Sequence, residues 1–309
     1  MTTQTVEVVS ERARALLQGA YDLHVHIAPD VVERRIDDIG LARRFAELDL
    51  AGFQLKSHYT STAERASVVR AAVPGIHVLG AIVLNRAVGG MNAVAVEIAA
   101  REGARTVWLP TVDSVNEAGE ETEFPPGATP PIWMRLQREL RAAGVVIEPV
   151  PVVDADGAVL PETRAVLAAI ARHGLVLATG HISRDEIFAV VEAAREQGVG
   201  EIVITHPDFP SQNLSVEDQA SLVGRGALLE RCLTTPLTGK IPWERFFETI
   251  RATGSEHSVL STDLGQLANP PVEDGLGLMV DRLLAAGFDE EEVHRMAVVN
   301  VRRLAGVDA

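Results

Sequence analysis

The sequence predicts one α/β domain, a (β/α)8 TIM barrel with an inserted hairpin and helix between its fourth and fifth strands. Short apolar runs alternate with amphipathic helical patterns from end to end, the signature of repeated βα units around a parallel sheet. Eight such units can be counted. Ligand-type side chains close several of the apolar runs, and functional groups of a closed barrel gather at the carboxyl ends of its strands. A doubly wound open sheet, the structural rival, would spread those groups far apart.

The strand candidates are Tyr21 to His26, Gly52 to Ser57, His77 to Leu84, Thr106 to Pro110, Gly174 to Thr179, Glu201 to Thr205, Ala227 to Leu233 and Ser258 to Thr262. Helical patterns follow nearly all of them. Asp37 to Leu48 and Thr62 to Val73 serve the first two, and Asn92 to Glu102 serves the third, stopping at Gly103 as helices commonly do. Ser183 with Glu186 three residues on reads as a capping box after strand five. Later helices are expected over Ser215 to Val223, Pro242 to Ala252 and Glu273 to Ala285. The insertion, about 111–160, opens with the Pro/Gly-rich stretch Phe124 to Pro131 and continues through a helix from Ile132 to Ala143. It then runs through Val145 to Val153 and turns at Asp154-Ala155-Asp156-Gly157, the mark of a small hairpin ahead of a helix from Glu162 to Arg172. No linker or internal repeat divides the chain, so 1–309 is expected to be a single domain with the insertion as its lid or rim.

Composition narrows the function classes. A chain of 309 residues that is 47% apolar can bury a sizeable core. Its 43 acidic residues against 28 Lys and Arg, a net charge of -15, oppose extended contact with nucleic acid or anionic lipid. No apolar run approaches the roughly 18 residues of a membrane span. A single cysteine, Cys232, excludes an intrachain disulfide and reads as a buried small hydrophobe, so a thiolate site is not expected and a reducing cytoplasm fits. The expected partner is a small molecule, with an anionic group left open. Homo-oligomers through helix faces are compatible with such a barrel, but nothing specifies their size.

Five of the nine histidines sit where an apolar run ends. In Tyr21-Asp22-Leu23-His24-Val25-His26, alternation in an extended strand places His24 and His26 on one face with Asp22 a step behind. His58, His181 and His206 end the second, fifth and sixth runs, and Asp263 ends the eighth. His77, His173 and His257 lie at or before strand starts, and His294 falls in a helical pattern. Neutral imidazole and carboxylate suit zinc above all, and also manganese, iron or cobalt in the divalent state.

Asp22-Leu23-His24-Val25-His26, Gly180-His181, Thr205-His206-Pro207 and Ser261-Thr262-Asp263 resemble the amidohydrolase superfamily near its phosphotriesterase-like branches, in order along essentially the whole chain. The resemblance implies a metal-dependent hydrolase holding one or two ions. His24 and His26 would hold the first ion with Asp263, His181 and His206 a second, and Asp263 would take the proton of the attacking water. The chain departs from the two-metal pattern in one place. Thr106-Val107-Trp108-Leu109-Pro110 contains neither the lysine nor the glutamate that commonly bridges the ions from strand four. Lys56, alternating with Gln54 and His58 on strand two, could replace it as a carbamate or stay charged and pair with Asp22 or a substrate carboxylate. Glu148 is the other bridging candidate, with a rim carboxylate as its plainer reading.

His58 either ligates, donates to a substrate carbonyl, or bonds Tyr59 and the loop backbone. Arg86, Tyr59 and Lys240 are the candidate substrate contacts, each with a surface or packing alternative, and Trp108 and Trp133 read as packing residues. Hydrolysis of a small amide, lactam, lactone or ester by a metal-activated hydroxide is the leading expectation, with Asp263, His58 and Lys56 at the chemistry. Three others stand beside it: a metal-dependent decarboxylase of the same superfamily, a histidinol-phosphatase-type phosphoesterase barrel, and a metal-containing protein that binds a small ligand without turnover.

Overall fold

Eight strands, β1 Tyr21–Val25, β2 Gly52–Leu55, β3 His77–Val83, β4 Ala104–Trp108, β5 Val176–Ala178, β6 Glu201–Ile204, β7 Leu228–Cys232 and β8 Ser258–Ser261, pair in parallel in sequence order. The computed structural model describes residues 8–118 and 124–307. Closure happens just past the strand ends, where Asp263 N donates to His24 O and His26 N to Leu264 O, both at 2.8 Å. The expected (β/α)8 barrel is therefore the fold observed, and its seam is made by the residues that end β1 and β8.

Helix α1 (Glu11–Leu16) precedes the barrel, and α2 (Asp38–Glu47), α3 (Ala63–Ala72) and α4 (Ala93–Arg101) follow β1, β2 and β3. The insertion supplies α5 (Val115–Ala118) and α6 (Ile132–Ala142), and α7 (Pro161–His173) leads into β5. Then α8 (Arg184–Glu196) and α9 (Val216–Gly224) follow β5 and β6, α10 (Thr234–Leu237) and α11 (Trp243–Thr253) follow β7, and α12 (Val272–Ala285) follows β8. A last run of α13 (Glu290–His294), a π-helical turn and α14 (Asn300–Ala305) completes the described chain.

Local chemistry explains the helix starts. Asp37 caps α2 by accepting from Gly40 N, Asn92 caps α4, and Ser183 with Glu186 forms the expected capping box of α8. Ser215 and Asp218 form a second box on α9. The hairpin expected in the insertion shrinks to a single antiparallel bridge between Val153 and Val159. Pro149 and Pro151 remove donors from the preceding run. Val150 bonds across to Asp113 instead, leaving Val146 79% exposed.

Apolar packing closes the barrel from below. Val301, Leu304 and Ala305 of α14 are buried against Tyr21, Leu23, Trp108 and Val259. Outside the strands, Phe53 of β2 and Phe45 of α2 pack edge to face with centroids 5.3 Å apart. Fully burying each ring contributes about 1.5–3 kcal/mol. Arg231, on the outer face of β7, has no exposed surface, and its guanidinium bonds Asp208 at 2.7 Å, Gln219 at 2.8 Å and Thr253 at 2.9 Å. This network ties β7, α9 and α11 to the loop after β6. Among the described residues no helix is long and apolar enough to cross a membrane.

Candidate metal centre

The rim of the barrel gathers the residues that end its strands. His24 Nε2 and His26 Nε2 each lie 3.2 Å from Asp263 Oδ1. A tetrahedral cation with bonds of about 2.0–2.1 Å sets its ligand atoms about 3.3–3.4 Å apart, so these two spacings match edges of such a shell. His181 Nε2 and His206 Nε2 face each other at the same 3.2 Å spacing. Their ring centroids are 4.9 Å apart, and the His206 ring stacks 6.3 Å from His24. His58 stacks on His26 at 4.7 Å and lies 6.1 Å from His181. Five imidazoles and one carboxylate thus share one rim, as the barrel requires of strands one, two, five, six and eight.

Strained backbone aims two of them. His206 and Asp263 adopt φ values of 26° and 56°, a region L-residues rarely occupy without support from their surroundings. The loop after His206 is held by the Asp208–Arg231 pair. Asp263 is held by its bond to His24 O and by Thr234 Oγ1, which donates to Oδ2 at 2.8 Å. Gly265 follows at φ 133°, where any Cβ would stand 1.5 Å from His26 O. Only glycine lets the β8 loop pass so close to β1.

Electrostatics prepares the donors. Burial holds His26, His58, His181 and His206 below the ordinary imidazole value, with His26 at about 3, so their lone pairs stay available for a cation. Burial would raise Asp263, yet His24 and His26 hold it well below the carboxylate range. His24 behaves differently: against burial and the charge of Lys56, Glu230 and Asp263 lift it to about 9. Lys56 Nζ sits 2.8 Å from His24 Nε2, and burial pushes its pKa down. The Lys56 amine also stands over the Trp108 ring, 5.1 Å from its centroid.

Residues outside the sequence-based set complete the centre. Glu230 Oε1 lies 3.1 Å from His24 Nδ1, Glu117 Oε1 lies 3.2 Å from His181 Nδ1, and Thr111 Oγ1 lies 2.8 Å from His58 Nδ1. The Glu117 contact is within ion-pair distance but off the line of the ring N–H. Cys232 Sγ stands 3.7 Å from His24 Nδ1, so the one cysteine belongs to the same cluster. Burial and Glu230 push its thiol up, yet with His24 and Glu230 it forms a second group at metal-ligand spacing, which the sequence-based expectation of no thiolate site did not include. Glu230 and Cys232 alternate on β7, and a period of two in that run was the signal that both face inward.

Other candidate residues lie elsewhere. Arg86 is tied to Glu148 O and Pro149 O, both at 2.7 Å, and joins the loop after β3 to the insertion without lining the rim cavity. Glu148 is exposed, as a rim carboxylate would be. Tyr59 is half-buried beside His58 and does not line the cavity. Asp22 turns to β8, where its carboxylate accepts from Thr262 Oγ1 and N, and Lys56 pairs with His24 in its place. The reason is a break in the β1–β2 register between Asp22 and Val25. Above the centre a cavity of about 560 Å³ is bordered by His26, Lys56, His58, His181, His206, Asp263 and, from the insertion, Trp133. Trp133 reaches the site that packing alone would not have assigned it; its ring lies 6.1 Å from His181.

The profile of a family of unknown function, DUF6282, matches residues 19–230. This chain belongs to that family. The search of curated proteins returned no match. Among solved structures, the DUF6282 chain superposes on an amidohydrolase from Pseudomonas aeruginosa with a TM-score of 0.61 at 12% identity, covering 95% of this chain and 98% of the other. A probable dipeptidase, PvdM, from the same organism gives 0.61 at 11% identity over 96% and 97% of the two chains. A metallo peptidase from Rhodobacter sphaeroides liganded with a phosphinate mimic of a dipeptide gives 0.56 at 14% identity over 94% and 99%. At these identities the likeness is one of fold: the DUF6282 chain shares the barrel of those three structures.

The donor set fits a divalent cation. The 3.2 Å spacings bring imidazole Nε2 atoms and a carboxylate oxygen together, the ligand types that suit a divalent metal.

Proposed function

We propose that this protein is a metal-dependent hydrolase of the amidohydrolase superfamily that cleaves a small cyclic amide, lactone or other carbonyl ester. The supporting observation is the meeting of His24 Nε2, His26 Nε2 and Asp263 Oδ1 at 3.2 Å contacts beside the facing pair His181 and His206. His24, His26 and Asp263 would hold one ion, zinc in the first instance, and His181 and His206 a second. A divalent cation in such a site lowers the pKa of a coordinated water from 15.7 to about 7.

The chain's own groups do the rest. Asp263, anionic and steadied by Thr234, takes the proton as water oxygen adds to the carbonyl carbon, then returns it to the leaving nitrogen or oxygen as the C–N or C–O bond breaks. His58, fixed by Thr111, donates to the carbonyl oxygen. Lys56 is buried, and burial lowers its pKa towards the neutral amine that adds carbon dioxide to form a carbamate and release a proton, so it would serve as the anionic bridge that strand four lacks. The cytoplasm is the proposed compartment.

The test is metal analysis of the purified protein, mass measurement of the Lys56 peptide under carbon dioxide, and turnover on lactone, lactam, amide and ester panels. Two ions with carbonyl-bond cleavage support the reading. Stoichiometric metal without turnover would make the protein a ligand-binding one, and carbon dioxide release without water consumption would make it a decarboxylase.

A further inference from the structure

Five lysine and arginine side chains border the cavity: Arg34, Lys56, Arg135, Arg138 and Lys240. Four have been accounted for by the chain itself. Arg34 pairs with Asp30 at 2.7 Å, Arg135 with Glu139 at 3.5 Å and Lys56 with His24 at 2.8 Å, and Arg138 also has a partner. Lys240 differs. Only 6% of it is exposed, and its Nζ donates to Thr238 Oγ1 at 2.5 Å, yet among the described residues no carboxylate lies within ion-pair distance of it. The faces of Phe209 and Phe124 lie 5.4 and 6.0 Å away. An ammonium carries three donors, and burying it without a counter-charge is costly.

Its placement is directional. Thr238 Oγ1 donates to Thr234 O at 2.5 Å, and Thr234 Oγ1 donates to Asp263 Oδ2 at 2.8 Å, so α10 links the ammonium to the proposed proton carrier. Phe209 and Trp133 border the same cavity, giving it apolar wall on the path between them. A chain with net charge -15 repels anions at long range, and a local buried cation is what would retain one.

We propose that the cavity takes a carboxylate-bearing small molecule, with the carboxylate received by Lys240, an apolar body along Phe209 and Trp133, and the scissile carbonyl facing Asp263. The placement of the carbonyl rests on the hydrolase reading; the anion site does not. Benzoate and benzamide, alike in ring and size but not in charge, are the probes. Each is titrated calorimetrically into the protein as purified, in the wild type, Lys240→Met and Lys240→Arg.

The wild type should prefer benzoate by about tenfold or more, as a charge-assisted contact predicts. Lys240→Met should bring the two ligands within about twofold of each other, and Lys240→Arg should keep the preference. Equal binding of the two probes by the wild type, or absence of binding, overturns the proposal. So does a benzoate preference that survives in Lys240→Met, because the carboxylate would then be taken by metal or another cation. The wild-type comparison stands whether or not the Met variant folds. Protein that holds no metal but keeps a Lys240-dependent preference would end the hydrolase reading and leave the anion site intact.

Discussion

Glu230 Oε1 lies 3.1 Å from His24 Nδ1, on the opposite edge of the ring from Asp263. Burial would raise Glu230, but the His24 charge and hydrogen bond hold it below the carboxylate range, so it accepts from Nδ1–H. That leaves Nε2 as the coordinating atom, the arrangement in which an outer carboxylate fixes the tautomer of a metal-bound histidine. Glu230→Gln should therefore weaken metal binding by about 10–100-fold, measured by competition with a chromophoric chelator. Unchanged affinity in a folded variant would make Glu230 a structural acid only.

Asp263 has two separable tasks, holding a cation through Oδ1 and carrying a proton. Asp263→Asn keeps a ligand oxygen and removes the base. It should retain most of the metal while kcat falls by about 10²–10⁴-fold on any substrate found. Turnover at the wild-type rate would remove Asp263 as the proton carrier.

Acid should destabilise the metal-free protein well before its carboxylates titrate. His26, His58, His181 and His206 have folded pKa values below the ordinary 6.5, with His26 at about 3, so on unfolding they take up protons as pH falls below 6.5. The unfolded state then binds more protons, and stability declines with falling pH across that range. Asp22, raised by burial to about 6, and His24, raised to about 9, work the other way: both favour the fold at low pH, and their contributions are lost as pH rises through about 6 and about 9. The four depressed imidazoles outweigh these two groups between about pH 7 and pH 5, where most of the His24 contribution is already present, and Tm should be lower at about pH 5 than at about pH 7. A Tm that rises on acidification would contradict this balance.

His24 makes metal uptake proton-linked. Raised to about 9, it carries a proton at neutral pH that a cation on Nε2 must displace. Binding at about pH 7 should release that proton, and apparent affinity should fall as pH is lowered. Calorimetry in buffers of different ionisation enthalpy measures the release directly, and identical heats in all buffers would count against it.

Asp208→Asn leaves the Arg231 guanidinium buried without its counter-charge. Breaking a buried pair from one side costs about 3–5 kcal/mol, which urea unfolding would register. Because Asp208 also anchors the loop of the strained His206, metal affinity should fall with it. A stability change near zero would show that Gln219, Thr249 and Thr253 suffice to hold Arg231.

Much of the rim was legible in the linear chain because strands write their ends plainly. His24, His26, His181, His206 and Asp263 each follow an apolar run, and the parallel barrel turns that position into proximity. Helix starts were equally readable at Asp37, Asn92 and Ser183, whose side chains cap their own backbone within a few residues. Glu230 was harder to see. It lies within β7 and bonds a histidine 206 positions away, a relation no local pattern encodes. Arg86 was a candidate substrate contact, but the insertion's carbonyls take its guanidinium.

The sequence by itself determined the kind of elements, their order and the ligand types at their ends, since these follow from periodicity, caps and side-chain chemistry acting over a few residues. Only the tertiary structure decided which carboxylate orients which imidazole, which lysine pairs with a histidine and which stands without an acid beside it. Those outcomes depend on burial and on distances between residues remote in the chain, and charges are strengthened or silenced by surroundings that exist only after the barrel closes.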